Sequence, residues 1–95
     1  MTTFIMTGKY SAEAIKQISG ERTTIAVDIV KLNGGKIVAV YATMGETDLV
    51  AITEFPGVNE AIKASVALNK ALGISFSTMP AIGIKEFDQL VGGKA

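Results

Sequence analysis

The sequence contains no cysteine and no histidine. These absences exclude metal sites built on thiolates or imidazoles, haem held by an imidazole, thiol nucleophiles and the serine–histidine–aspartate arrangement. Side-chain chemistry is therefore left to carboxylates and phenols. We expect neither a metal nor a cofactor in this protein.

Strong charge of one sign and long apolar runs are also missing. Nine Lys and Arg residues balance nine Asp and Glu residues, and their alternation leaves no basic stripe that would favour nucleic acid. The longest charge-free run, residues 71–84, has 14 residues, whereas a membrane helix needs about 20. The N-terminal residues 1–10 lack the basic segment and apolar core of a secretory signal. We therefore expect a cytoplasmic protein that binds neither nucleic acid nor a membrane.

The length of the chain predicts a single domain over residues 1–95;. A chain of this size buries only about 60 to 65% of the surface that it exposes when unfolded. A partner subunit would supply additional burial, so the length favours a homo-oligomer.

Apolar periodicity and turn residues predict four strands and three helices. The strands are expected at residues 2–10, 36–44, 48–55 and 74–82, and the helices at residues 12–32, 60–72 and 84–91. Ser11 is a suitable cap for the first helix, which Gly20 is expected to kink or split in two. Pro80 predicts an edge position for the last strand, because proline cannot donate to a central ladder. Residues 92–95 are expected to form a frayed tail.

The predicted order β-α-β-β-α-β, followed by a short C-terminal helix, is typical of an α+β ferredoxin-like domain with both helices on one face of an antiparallel sheet. The second strand is apolar on both sides, since Ile37 and Ala39 alternate with Val38 and Val40. A sheet with one wet face would alternate apolar with polar residues. We therefore expect two sheets to pack face to face about a two-fold axis, in a dimer or a higher assembly of dimers.

Several short motifs resemble those of the GYD domain family of small prokaryotic proteins, which is named for a Gly-x-Tyr-Asp stretch. The motifs are Gly45-Glu46-Thr47-Asp48, Glu54-Phe55-Pro56 and Ser77-Thr78-Met79-Pro80-Ala81. The resemblance implies a ferredoxin-like dimeric α/β barrel and supplies no assigned activity. Thr47 stands where the family has its tyrosine, so chemistry that depended on that phenol would be lost here.

Arg22 is the first of three candidate ligand-binding residues. It falls on the predicted apolar stripe of the first helix, which comprises Ile15, Ile18, Ile25, Ile29 and Leu32, and a permanently charged guanidinium seldom lies on a core face without a partner. Its head either reaches water or bonds an acid such as Glu21 or Asp28, or it holds a carboxylate or phosphate of a small ligand.

Asp48 and Tyr41 are the other two candidates. Asp48 borders the tight connection between the second and third strands, where it either bonds the local backbone or acts as a base or acceptor for a ligand at the rim of a barrel. Tyr41 either finds a structural hydrogen-bond partner or lines a cavity between the sheet and the helices.

Two functions of different classes remain open. The first is a homo-oligomeric small-molecule-binding or regulatory module, which asks little of a chain so poor in reactive groups. The alternative is a cofactor-free enzyme, oxygenase-like or isomerase-like, that acts on a small organic acid or a quinol; this alternative depends on analogy between folds. A purely structural role without a ligand is also open.

Overall fold

The computed structural model describes residues 1–93 and contains four strands and three α-helices. The strands are β1 (Thr2–Tyr10), β2 (Lys36–Ala42), β3 (Leu49–Phe55) and β4 (Ile74–Ala81). The helices are α1 (Gly20–Leu32), α2 (Val58–Leu72) and α3 (Ile84–Gly92), and a short 3₁₀ helix at Ala14–Gln17 precedes α1. Lys94 and Ala95, which belong to the predicted frayed tail, lie outside the described residues.

The four strands form one antiparallel sheet in the order β2-β3-β1-β4. This order, together with the sequence order β-α-β-β-α-β-α, confirms the predicted α+β ferredoxin-like plan. Pro80 lies in β4 at the edge of the sheet, as its missing N–H predicted. None of the helices between residues 1 and 93 combines the length and the apolar character that crossing a bilayer requires.

The core lies between the sheet and the two long helices. Phe4 and Phe55 are buried in its centre, with ring centroids 6.0 Å apart in an edge-to-face arrangement. Ala61 and Ala64 of α2 are fully buried, and their small size lets this helix approach the strands closely. Val30 contributes the buried contact from α1.

The first predicted helix is split in two. Ser19 caps the N-terminus of α1, because its Oγ accepts a hydrogen bond of 3.2 Å from the backbone N–H of Arg22;. Ser11 does not cap an α-helix; its Oγ accepts a hydrogen bond of 3.0 Å from the N–H of Ala14, the first residue of the 3₁₀ helix, whose N-cap is Glu13. The break confirms that the predicted first helix is split in two near Gly20 and not merely kinked.

The predicted apolar stripe on this segment is wrong for most of its members. Four of them are exposed, namely Ile15, Ile18, Ile25 and Leu32. The break before α1 interrupts the helical phase, so a single stripe cannot run through both helices. In α1 the side that faces the sheet carries Ala26 and Val30, while Ile25 and Leu32 lie on the opposite side.

The register of the strands assigns each residue to a face. Phe4, Met6 and Ala51 point to the helices, so Ile5 and Ile52, which alternate with them and pair with each other, lie on the open face of the sheet;. One row of this face runs across all four strands and is entirely apolar: Ala39, Ile52, Ile5 and Met79. The expectation of an apolar second face is therefore met along this row, whereas Thr7 and Ser77 make the neighbouring row polar on its β1 and β4 side.

Candidate functional site

A cavity of about 140 Å³ lies between α1 and the sheet. Small side chains meet on both of its walls, with Thr23 and Ala26 on the helix and Ala51 and Thr53 on β3. Protein interiors are normally packed without voids. The cavity therefore exists because short residues face each other at this point, where larger ones would fill the space.

The rest of the cavity wall is mainly apolar. Met6, Ile37, Leu49, Leu68, Ile74 and Phe76 contribute to it from the sheet and from α2. The hydroxyl group of Thr53 lies in the wall but is already used, because it donates to the carbonyl of Phe4 at 3.3 Å. Such a wall suits an apolar ligand body, and polar recognition is left to the few remaining polar side chains.

Arg22 is the charged side chain of this wall, and α1 places it in the first turn after the Ser19 cap. Its Nη2 donates to the backbone carbonyl of Leu72, and its Nη1 donates to Oε1 of Gln17 at 3.4 Å. Leu72 is the last residue of α2. Its carbonyl is one of the groups that a helix leaves without an intrahelical partner, at the end where the helix dipole favours a cation.

Of the alternatives for Arg22, a bond to an acid such as Glu21 or Asp28 is not the one that the described residues form, since the guanidinium donates to Leu72 at the end of α2 and to Gln17. The one ion pair within residues 1–93 joins Lys36 to Glu54 at 3.6 Å. A guanidinium has five N–H donors, and two of these serve Leu72 and Gln17. The remaining donors are compatible with an anion that enters the cavity.

Arg22 also faces a second, shallower hollow on the outside of the fold. This hollow is formed by the end of α2 and by the 3₁₀ segment, through Ser11, Glu13, Ala14, Gln17, Ala71, Leu72 and Gly73. Arg22 thus lines both the inner cavity and the outer hollow. Its guanidinium is within reach of the solvent while its stem borders the apolar interior.

Asp48 holds two strands together. Its Oδ2 accepts a hydrogen bond of 2.9 Å from the backbone N–H of Tyr10, and its own N–H donates to the carbonyl of Gly8 at 2.8 Å. These bonds continue the β1–β3 pairing beyond Leu49, where the regular ladder ends. The carboxylate therefore bonds the backbone, as the structural interpretation required, but the backbone belongs to β1 and not to the adjacent turn.

Tyr41 lies on the open face of the sheet, opposite Val50, with 59% of its surface exposed. It is therefore on the other side of the sheet from the cavity that Arg22 borders. The structure does not bring Arg22, Tyr41 and Asp48 together into one site. Of the three, Arg22 alone lines the cavity.

The phenol that lines the cavity belongs to Tyr10, which the sequence did not single out as a ligand-binding residue. A usable signal was present, because Phe4, Met6 and Tyr10 share the period of two that directs side chains to one face of a strand;. Asp48 fixes the backbone of Tyr10, so it supports the cavity wall without reaching the cavity.

The described wall of the cavity contains no carboxylate, and no group of three or more acidic residues gathers anywhere in residues 1–93 in a way that would hold a metal ion. The lining of the cavity is thus mainly apolar and includes one cationic group, Arg22, and one phenol, Tyr10. This set is suited to holding a small molecule with a single anionic or polar end.

Comparison with known families supports the resemblance seen in the motifs. A model of the GYD domain matches residues 4–91, which is nearly the whole chain. Searches of curated proteins and of solved structures returned no match.

Proposed function

Since the chain belongs to the GYD domain family and has an apolar cavity bordered by Arg22, we propose that it is a homo-oligomeric module that binds a small organic acid. The observation that carries this proposal is the cavity between α1 and the sheet. An apolar void of this kind lowers the stability of a fold, so a ligand that fills it would recover packing that the chain alone does not supply.

The volume of the cavity limits the size of the ligand. An engineered apolar cavity of about 150 Å³ accepts benzene, and the cavity here measures about 140 Å³. The body of the ligand is therefore a single ring or a short branched chain. Larger fused-ring molecules would require α1 to move away from the sheet.

The position of Arg22 sets the polarity of the ligand. A carboxylate at the edge of the cavity would meet the unused donors of the guanidinium, and hydrogen bonds between ionised groups are about twice as strong as neutral ones. The phenol of Tyr10 lines the same cavity and supplies a further donor. A monocarboxylate such as benzoate combines the required ring with the required charge.

Binding is better supported than catalysis by this geometry. A proton-abstracting base must lie within hydrogen-bond reach of its substrate, but the carboxylate of Asp48 is bonded to the N–H of Tyr10 and does not line the cavity. The oxygenase-like or isomerase-like alternative would therefore have to rely on Tyr10 and Arg22 alone.

The ligand proposal is tested by titrating the protein with benzoate and with uncharged toluene in parallel, followed by calorimetry or by NMR shifts. We expect Arg22→Met, which keeps an apolar stem, to weaken benzoate binding at least 10-fold and to leave toluene binding nearly unchanged. Ala26→Leu fills the cavity from α1 while keeping the charge, and should abolish binding of both. Equal affinity of the unmodified protein for benzoate and toluene, or failure to bind either, would overturn the proposal.

The oligomeric part of the proposal is supported by the apolar row of the open face, Ala39, Ile52, Ile5 and Met79. The pairing of two such faces about a two-fold axis would place the row of one protomer against that of its partner and remove both from water. A dimeric α/β barrel would result.

Lys substitutions on the open face test this pairing. Ile52→Lys places a charge at the centre of the row and should convert the assembly into a folded monomer, as measured by sedimentation velocity. Ser75→Lys is the matched control, because Ser75 lies on the same face beside Lys9 at the end of the strands. An assembly that tolerates Ile52→Lys as well as it tolerates Ser75→Lys would exclude this face as the interface.

A further inference from the structure

The C-terminal helix α3 presents an apolar face that the described chain does not cover. Ile84, Phe87, Leu90 and Val91 form this face, and between 47% and 73% of the surface of each is exposed. Their spacing of three and four residues places them on one side of the helix, while Lys85, Glu86 and Gln89 lie on the other;. A surface helix of this kind normally buries its apolar side.

An isolated helix of this length would have little stability of its own. Helices shorter than about 12 to 15 residues are marginal in water, and α3 has nine residues. No other element within residues 1–93 packs extensively against α3. Contacts from outside the protomer would therefore account for a sequence that so clearly encodes an amphipathic helix.

The protomer is elongated. The radius of gyration is 14.4 Å, whereas a compact domain of this length would have about 12.4 Å. The longest dimension is 50 Å, against 29 Å and 18 Å for the other two. An elongated shape is expected when α3 makes no extensive contact with the other described elements, and its apolar side is then available to a neighbouring molecule.

A second copy of the chain is the occupant that the surroundings of α3 favour. The helix follows β4 directly, after Ile82 and Gly83, and Met79 and Ala81 of that strand belong to the open face. The apolar surface of α3 is therefore a continuation, along the chain, of the face that we propose pairs with a partner. A protomer stacked on this face would lie next to the point where α3 begins.

The area of the open face supports the same conclusion. Four strands about 4.8 Å apart and about 26 Å long give a flat footprint of about 500 Å², while a stable interface buries about 800 Å² on each partner. A helix of nine residues covers about 140 Å². Because two-fold symmetry makes each protomer both present and receive a helix, the arms bring the footprint close to the usual size.

We infer that α3 is an exchanged arm, which packs the face of Ile84, Phe87, Leu90 and Val91 on a second copy of the chain beyond the sheet-to-sheet contact. This inference builds on the proposed pairing of the open faces. It assigns to the last helix a role in holding the assembly together, separate from the cavity and from Arg22.

The test compares Phe87→Asp with Gln89→Asp, which carries the same new charge on the polar side of α3. We expect Phe87→Asp to raise the dissociation constant of the dimer at least 100-fold, because the substitution is present in both protomers and two symmetry-related contacts are lost. Gln89→Asp should change the dissociation constant less than 3-fold. Hydrogen exchange of the α3 amides gives a second readout. These amides should be protected in the dimer and should exchange rapidly in the Ile52→Lys monomer.

The possible results separate the arm from the pairing of the sheets. A dimer that is unaffected by Phe87→Asp, or α3 amides equally protected in the Ile52→Lys monomer, would overturn the arm and leave the sheet pairing intact. A dimer that is broken by Phe87→Asp but unaffected by Ile52→Lys would support the arm and refute the sheet pairing. An unmodified protein that is monomeric at about 100 µM, a concentration at which a dimer with a dissociation constant of about 1 µM would be largely assembled, would refute both.

Discussion

Replacement of Asp48 by alanine would leave the N–H of Tyr10 without its acceptor. In the structure this N–H donates to the carboxylate at 2.9 Å in a partly buried position. A hydrogen bond to a charged group contributes about 1.5 to 3 kcal/mol, so we expect Asp48→Ala to destabilise the fold by about 2 kcal/mol. For a domain of this size, each kcal/mol corresponds to about 4 to 8 °C in Tm. The expected fall in Tm is therefore about 8 to 16 °C.

Asp48→Asn is the matched variant for this measurement, because the amide oxygen still accepts from Tyr10 while the charge is lost. We expect it to lower Tm by less than half as much as Asp48→Ala. Thermal unfolding should be followed by circular dichroism at one fixed protein concentration, since association makes Tm depend on concentration. A Tm for Asp48→Ala within about 2 °C of the unmodified protein, a shift equivalent to under 0.5 kcal/mol, would refute the structural role of the carboxylate.

Two further substitutions test the packing around the site. Phe55→Ala removes a fully buried ring that packs edge-to-face on Phe4; it should reduce the free energy of unfolding in urea by about 3 to 5 kcal/mol, and a loss below 1 kcal/mol would contradict the packing described. Gly73→Ala adds a methyl group 2.9 Å from Oγ of Ser11 at a residue with φ of 70°. We expect a loss of about 1 to 3 kcal/mol from the strained backbone, and an unchanged urea midpoint would refute the left-handed conformation of this residue.

The arrangement of the strands could be predicted from local signals in the sequence. Pro80 identified an edge strand because its missing N–H excludes a central position;. The hairpin of β2 and β3 followed from two β-rich segments around Gly45-Glu46-Thr47;. These signals depend on only a few neighbouring residues, so they can be interpreted without knowledge of the tertiary contacts.

The faces of the strands could not be assigned from the sequence, because β2 and β3 are apolar on both sides and a shift of one residue exchanges the two sides. In the structure the register shifts between Ile37 and Ala39. This irregularity places Ile37 and Val40 on the cavity side and Ala39 and Tyr41 on the open face. Strict alternation from Ile37 would have placed Val40 with the residues of the open face.

The partner of Arg22 was beyond prediction for a different reason. Sequence reasoning sought an acid within reach on the same helix, but the acceptor is the carbonyl of Leu72, which is 50 positions away in the chain. Every residue carries such a carbonyl, and only the end of a helix leaves it unpaired and directed outwards. Its availability therefore depends on where α2 ends and on how α1 and α2 lie together.

The cavity and the position of Arg22 both depend on how α1 lies on the sheet. The helix begins at Gly20, and the side that borders the cavity carries the small residues Thr23 and Ala26, with Arg22 beside them. Ile25 of the predicted stripe is exposed instead. One orientation of the helix thus leaves an apolar void and places a cation at its edge. These are the two features that a small organic acid requires of its binding site.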